Sequence, residues 1–183
     1  MAADGAEIEA AAGELAGRRL DGVRYYTLPD GRTGKPAWDQ DVAHVADYGI
    51  DLVTADGTTG ITWVPHGEFG YGLQLGSGPL AGELDRAESC SVAARPPWAR
   101  VVGEHIAEAR VHWLEVTWGS RQATGPVALA LRFAGGTGIA VVCGSWRGRR
   151  EAVFPTGDDI VVLWQPEALA VAAPYLPDSL LGP

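Results

Sequence analysis

Apolar residues recur at every second position in several stretches of the chain, the spacing of half-buried β-strands. Tyr48, Ile50, Leu52 and Thr54 alternate with Gly49, Asp51 and Val53, and Val127, Leu129, Leu131 and Phe133 alternate with Ala128, Ala130 and Arg132. Tyr71-Gly72-Leu73-Gln74-Leu75 continues the pattern, whereas Ile160-Val161-Val162-Leu163-Trp164 is apolar on both faces, which predicts a central strand covered on both sides. Asp56-Gly57 and Gly135-Gly136 punctuate the alternation and predict hairpins, because tight primed turns need positive φ. Helical signals are peripheral: an Ala-rich segment at 4–16, a turn or two near 37–46, another at 80–88, and 166–173 opening on Pro166.

The strand patterns come in two sets. Gly17, Leu20, Val23 and Arg24 recur at an offset of 86 as Gly103, Ile106, Ala109 and Arg110, and the segment Ala55–Thr62 resembles Ala134–Ala140. Each set predicts four strands, spanning 14–80 and 100–166 and joined by a linker, 81–99, whose Arg95-Pro96-Pro97 argues against a strand. The expectation is a single compact domain over 1–183. It is mainly β, with α+β left open: about eight antiparallel strands from a duplicated four-strand unit, with pseudo-twofold symmetry.

Length and composition agree with one folded domain: 183 residues, 46% hydrophobic, carry enough apolar side chains for a core. The net charge of −9 is uneven, with 15 acids against 6 bases in residues 1–92 and 8 against 8 in the remainder. An acidic chain is a poor match for a phosphate backbone or an anionic membrane surface, so neither nucleic acid nor membrane is expected as a partner. Two cysteines, Cys90 and Cys143, supply neither a disulfide framework nor a zinc site, and the acidic N-terminus has no signal-peptide pattern. Free thiols, a cytoplasmic location and no cofactor are the corresponding expectations.

Candidate chemistry concentrates in few places. Within Trp38–Asp47, Asp41 and His44 at i and i+3 would share a helix face and could hold a divalent metal, while the same residues serve equally as a helix cap beside a solvated imidazole. Gly157-Asp158-Asp159 precedes a buried strand, but adjacent carboxylates on extended chain face opposite ways. A working pair would need a further acid such as Glu68 or Glu151, and a plain turn explains the same residues. Trp146-Arg147-Gly148-Arg149-Arg150 is the one basic run. Of seven tryptophans, Trp38, Trp98, Trp118 and Trp146 lie near turns and are the expected surface indoles. No nucleotide-binding glycine loop, nucleophile elbow or His-Glu-x-x-His is present, and no catalytic or metal-binding residue is assigned.

The repeated glycine segment, the Asp-Gly hairpin leading into Ile61-Thr62-Trp63, and Phe154-Pro155-Thr156-Gly157-Asp158-Asp159 before Ile160–Leu163 resemble small uncharacterised actinobacterial proteins. More loosely they are similar to the immunity proteins of bacterial polymorphic toxin systems. That resemblance implies a stoichiometric binder rather than a catalyst. The expected partner-binding residues are Asp39, Asp41, His44, Asp47, Asp51 and Asp56, facing a basic protein, together with Trp146, Arg147, Arg149 and Arg150. The alternative is a small-molecule or carbohydrate binder, or an enzyme, with its site between the two repeats.

Overall fold

The structure is a computed structural model that describes residues 5–28, 38–40, 42–82, 87–146 and 154–172. Helix α1 (Gly5–Gly13) is followed by β1 (Leu20–Thr27), β2 (Ala43–Ala46), β3 (Gly49–Thr54), β4 (Gly57–Pro65), β5 (Tyr71–Ser77) and β6 (Glu88–Ser91). Then come β7 (Ile106–Trp118), β8 (Arg121–Phe133), β9 (Gly138–Ser145), β10 (Phe154–Leu163) and α2 (Pro166–Ala172). The architecture is mainly β, as the alternation predicts: two antiparallel five-stranded sheets, ordered β5-β4-β3-β1-β6 and β2-β10-β9-β8-β7.

The inward residues of both sheets make one core. Val23, Tyr25, Ile50, Leu52, Ile61 and Leu73 of the first sheet meet Leu129, Leu131, Ile139, Val141, Ile160 and Val162 of the second. Outside the second sheet lies another apolar layer, in which Ala128, Ala140, Val142, Val161 and Leu163 pack with Ala168, Leu169 and Ala172 of α2. This explains the unbroken apolar run of β10: one face meets the core, the other meets α2, and β2 and β9 flank it.

Each sheet contains a four-strand meander, β1-β3-β4-β5 in one and β7-β8-β9-β10 in the other. Where the two meanders begin, their backbones exchange hydrogen bonds that match under the offset of 86. The Gly17 N–H donates to the Ile106 carbonyl (2.8 Å) and the Gly103 N–H to that of Leu20 (2.7 Å). The Leu20 N–H donates to the Glu104 carbonyl and the Ile106 N–H to that of Arg18, both at 2.9 Å. Gly17 (φ +83°) and Gly103 (φ +93°) occupy the left-handed region, a conformation that L side chains rarely adopt.

Three expectations are corrected. The segment near 37–46 contains a strand, not a helical turn: β2 pairs with the edge of β10, His44 opposite Val162 and Ala46 opposite Ile160, and that ladder overrides any local helical tendency. The linker also contains a strand, since β6 pairs with β1, placing Cys90 opposite Tyr25. Its prolines lie downstream, at Pro96-Pro97 before a 3-10 turn (Trp98–Arg100), so they do not interrupt the ladder. The Gly135-Gly136 connection is wider than a two-residue turn: Arg132 pairs with Gly138, and the Gly135 N–H donates to the Glu104 carboxylate. By contrast, Thr54 pairs directly with Gly57, leaving Ala55 and Asp56 as a two-residue loop.

Candidate functional site

Strand β10 is interrupted where the sequence reads Thr156-Gly157-Asp158-Asp159. Pro155 pairs with Gly144 and Ile160 with Cys143, so four residues of β10 are extruded between two successive residues of β9. Gly157 lies so close to β9 that a Cβ would sit 2.7 Å from the Gly144 carbonyl carbon and the Ser145 nitrogen, a separation that real side chains do not tolerate. The Gly157 carbonyl accepts from the Cys143 thiol at 3.2 Å. The bulge turns two carboxylates outward, Asp158 exposed and Asp159 half-buried.

The register of β2 on β10 brings a third carboxylate to the bulge. Because Ala46 pairs with Ile160, the next residue of one strand and the preceding residue of the other, Asp47 and Asp159, are neighbours. Asp47 is held in place: its Oδ2 accepts from the Leu28 N–H (2.8 Å) and its carbonyl from the Trp63 indole (2.8 Å). Burial, and then the negative charges of Asp158 and Asp47, push the Asp159 carboxyl up to about 6. Burial, with Asp158 and Asp159 adding to it, pushes the Cys143 thiol up to about 12. Among the described residues, no cation pairs with Asp158 or Asp159. The described ion pairs join Arg18 to Glu14, Arg19 to Asp21, Arg110 and Arg132 to Glu108, and Arg121 to Glu68. The further acid beside Asp158-Asp159 is thus Asp47; Glu68 faces Arg121, and Glu151 lies outside the described residues.

The predicted partner-facing residues separate into groups. Asp39 and Asp47 are half-buried, on either side of β2. Asp51 is not a surface charge: only 1% exposed, it accepts the Tyr26 hydroxyl (2.6 Å) and the Leu80 N–H (3.0 Å), because the 3-10 turn Leu80–Gly82 covers that face of β3. His44, 3% exposed, is likewise withdrawn, and on a strand it has no helix face to share with Asp41, which lies outside the described residues. Asp56 is exposed but sits beyond the far end of β3 from Asp47. Roughly 17 Å of strand divides them, about twice the Debye length at physiological salt. Trp146 is half-buried against the outer apolar layer, and Arg147, Arg149 and Arg150 lie outside the described residues.

A buried polar chain behind β2 is the feature that sequence reasoning missed. The Trp98 indole N–H donates to the Tyr25 hydroxyl at 2.6 Å, and that hydroxyl lies 2.9 Å from His44 Nδ1. The imidazole is enclosed by aromatic rings, with centroids 4.8 Å from Trp38, 4.6 Å from Trp164 and 5.6 Å from Tyr25. Burial raises the Tyr25 phenol well above its ordinary range, with the Trp98 hydrogen bond acting in the opposite direction. Trp98, expected on the surface from its neighbouring prolines, is fully buried. Both cysteines are free; burial raises the Cys90 thiol, while hydrogen bonds from the Tyr25 backbone and the Trp38 indole partly offset it.

Two grooves lined by described residues lie on the outside of the sandwich. One, of about 590 Å³, runs between α1 and the ends of β4 and β5, lined by Glu7, Glu14, Arg18, Asp56, Thr58 and Ser77 among others. The other, of about 370 Å³, lies over Gly60, Thr62, Gln74 and Leu80. Among the described residues, no group of three or more His, Cys, Asp or Glu side chains is placed to hold a metal ion, and no helix is long and apolar enough to cross a membrane. No protein-family model, curated protein or solved structure matches the chain.

Proposed function

We propose that this chain is a non-catalytic binding protein of the immunity type, which neutralises a basic protein partner through the end of the sandwich where β2 meets β10. The observation that carries this reading is the convergence of Asp47, Asp158 and Asp159, with the half-buried Asp159 made harder to ionise first by burial and then by the charges of Asp158 and Asp47. A cationic side chain placed there would relieve that repulsion, so the gain on binding comes partly from a cost already present in the free protein. The same charge repels a phosphate backbone, which argues against nucleic acid. A cytoplasmic location suits the two free thiols.

The experiment is a measurement of association between this chain and the basic product of a neighbouring gene, at about 20 and 200 mM salt. Replacing Asp47, Asp158 and Asp159 together by Asn is expected to slow association roughly tenfold at low salt and flatten its salt dependence. Unchanged rates in the triple variant, or no binding by the parent chain, would refute the reading.

A second reading, a small-molecule or carbohydrate binder, draws on the groove beside α1, where Arg18, Asp56, Thr58 and Ser77 offer hydrogen-bonding groups of both senses. Perturbation of their amide resonances by a panel of neutral sugars is its test, and a groove unresponsive to all of them removes this alternative.

A further inference from the structure

We propose that the groove beside α1 takes an amino sugar, a polyhydroxylated ring carrying one protonated amine; this rests on the small-molecule reading above and names its ligand. Thr59 is the first reason. Strand alternation puts it on the same face of β4 as the core residue Ile61, and it lines the groove where that face runs out under α1. Thr59 is only 7% exposed, yet among the described residues its hydroxyl has no hydrogen-bond partner. No side-chain nitrogen or oxygen that is sealed from solvent lacks a partner among those residues, so the Thr59 oxygen opens onto the groove. A hydroxyl more than nine-tenths buried and left without a protein partner presents both a donor and an acceptor to whatever fills the space before it.

Charge is the second reason. Four ionisable side chains line the groove, Glu7, Glu14 and Asp56 against Arg18. Arg18 is already met by Glu14 at 3.4 Å, whereas among the described residues no cation pairs with Asp56. A protonated amine therefore finds an uncompensated carboxylate, while a phosphate or carboxylate ligand meets an excess of like charge. Because Asp56 is exposed, its attraction is screened, and the preference for the amine is a modest one. The remaining walls suit a sugar ring. Ser77 adds a hydroxyl that has no partner among the described residues, and Leu75 supplies apolar surface for the C–H face of a ring. Gly57, Gly76 and Gly78 leave the space open, with nothing within 4 Å of where a Cβ would stand.

The test is titration of the full chain at about pH 6, where a sugar amine is protonated, with glucosamine, glucose, glucuronate and 1,4-diaminobutane, followed through the amide resonances of Asp56, Thr59 and Gly76. Glucosamine is expected to bind roughly fivefold more tightly than glucose, with glucuronate weaker than glucose and the diamine weaker than glucosamine. Asp56→Asn, which a turn accommodates, is expected to erase the advantage of glucosamine over glucose. Thr59→Val keeps the branched shape and removes the hydroxyl. It is expected to weaken glucosamine binding roughly fivefold while the urea midpoint of unfolding stays unchanged or rises, because in the free protein that hydroxyl has no partner to lose. A role in the fold alone would give the opposite, a lowered midpoint with binding intact. Equal binding of glucose and glucosamine, tighter binding of glucuronate or the diamine, an advantage that survives in Asp56→Asn, or parental binding by Thr59→Val would overturn the amino-sugar assignment and leave the small-molecule reading standing. A groove that responds to none of the four removes both.

Discussion

Arg19 and His105 face each other across a single antiparallel bridge, and they are separated in sequence by the same 86 residues that separate Gly17 from Gly103 and Leu20 from Ile106. The hydrogen bonds that flank the bridge match in the same way: the Leu20 N–H donates to the Glu104 carbonyl, and the Ile106 N–H donates to that of Arg18. If the two positions are equivalent, Gly17→Ala and Gly103→Ala should cost similar stability, about 1–2 kcal/mol each, since both sit at positive φ with open space where the methyl would lie. Urea unfolding of the two variants checks this; a loss confined to one of them would count against equivalence.

Asp159 should make the fold less stable at neutral pH than in mild acid. Its folded-state carboxyl lies at about 6, above its ordinary 3.8. The folded protein therefore retains a proton between those values that the unfolded chain has released, and stability falls as pH rises through this window. Asp159→Asn should abolish that fall and stabilise the protein by about 1 kcal/mol at neutral pH, the figure being reduced for solvent screening of a half-exposed group. Thermal unfolding from mild acid to neutral pH measures both effects.

Asp51→Ala should destabilise the protein by about 3 kcal/mol, because it strips acceptors from the Tyr26 hydroxyl and the Leu80 N–H. Tyr26→Phe in the same background should then cost little more. A double-mutant cycle in chemical denaturant separates the two contributions.

Gly157→Ala should cost at least about 2 kcal/mol, as the new methyl meets the backbone of β9. Adding Ser145→Ala should not restore the loss, because the Gly144 carbonyl carbon and the Ser145 nitrogen remain 2.7 Å from the methyl. Recovery in that double variant would show that the side chain alone sets the close approach.

The two thiols should react with an aromatic disulfide reagent at very different rates under native conditions. Cys90 is half-buried, whereas Cys143 is buried, donates to the Gly157 carbonyl and is pushed up to about 12, which leaves almost no thiolate near neutral pH. One fast and one slow equivalent are expected, becoming two fast equivalents in denaturant.

The long strands were readable because their own side chains alternate: Val127–Phe133 and Gly49–Thr54 expose their period without any partner. Strands β2 and β6 were not, because four residues carry too little periodicity and become strands only through the edges that receive them, β10 and β1. Asp47 and Asp51 look alike in sequence, and only the tertiary contacts of Tyr26 and the Leu80 turn make Asp51 a buried acceptor while Asp47 stays half-buried. The meeting of Asp47 with Asp159 depends on a register between distant segments that local pattern does not encode. Trp98 was misplaced for a related reason: the prolines before it mark a turn, but not which side of that turn faces the core.

The placement of β2 also has a consequence for biosynthesis. β2 belongs to the amino-terminal meander in sequence but completes the sheet of the carboxy-terminal one, and its partner β10 leaves the ribosome about a hundred residues later. The amino-terminal meander can assemble as it emerges, whereas β2 must wait as an unpaired strap until almost the whole chain has been made. Truncated translation products should therefore carry a bare strand whose ladder partner has not been made, and two fragments divided after β6 should each recover full order only by finding the other.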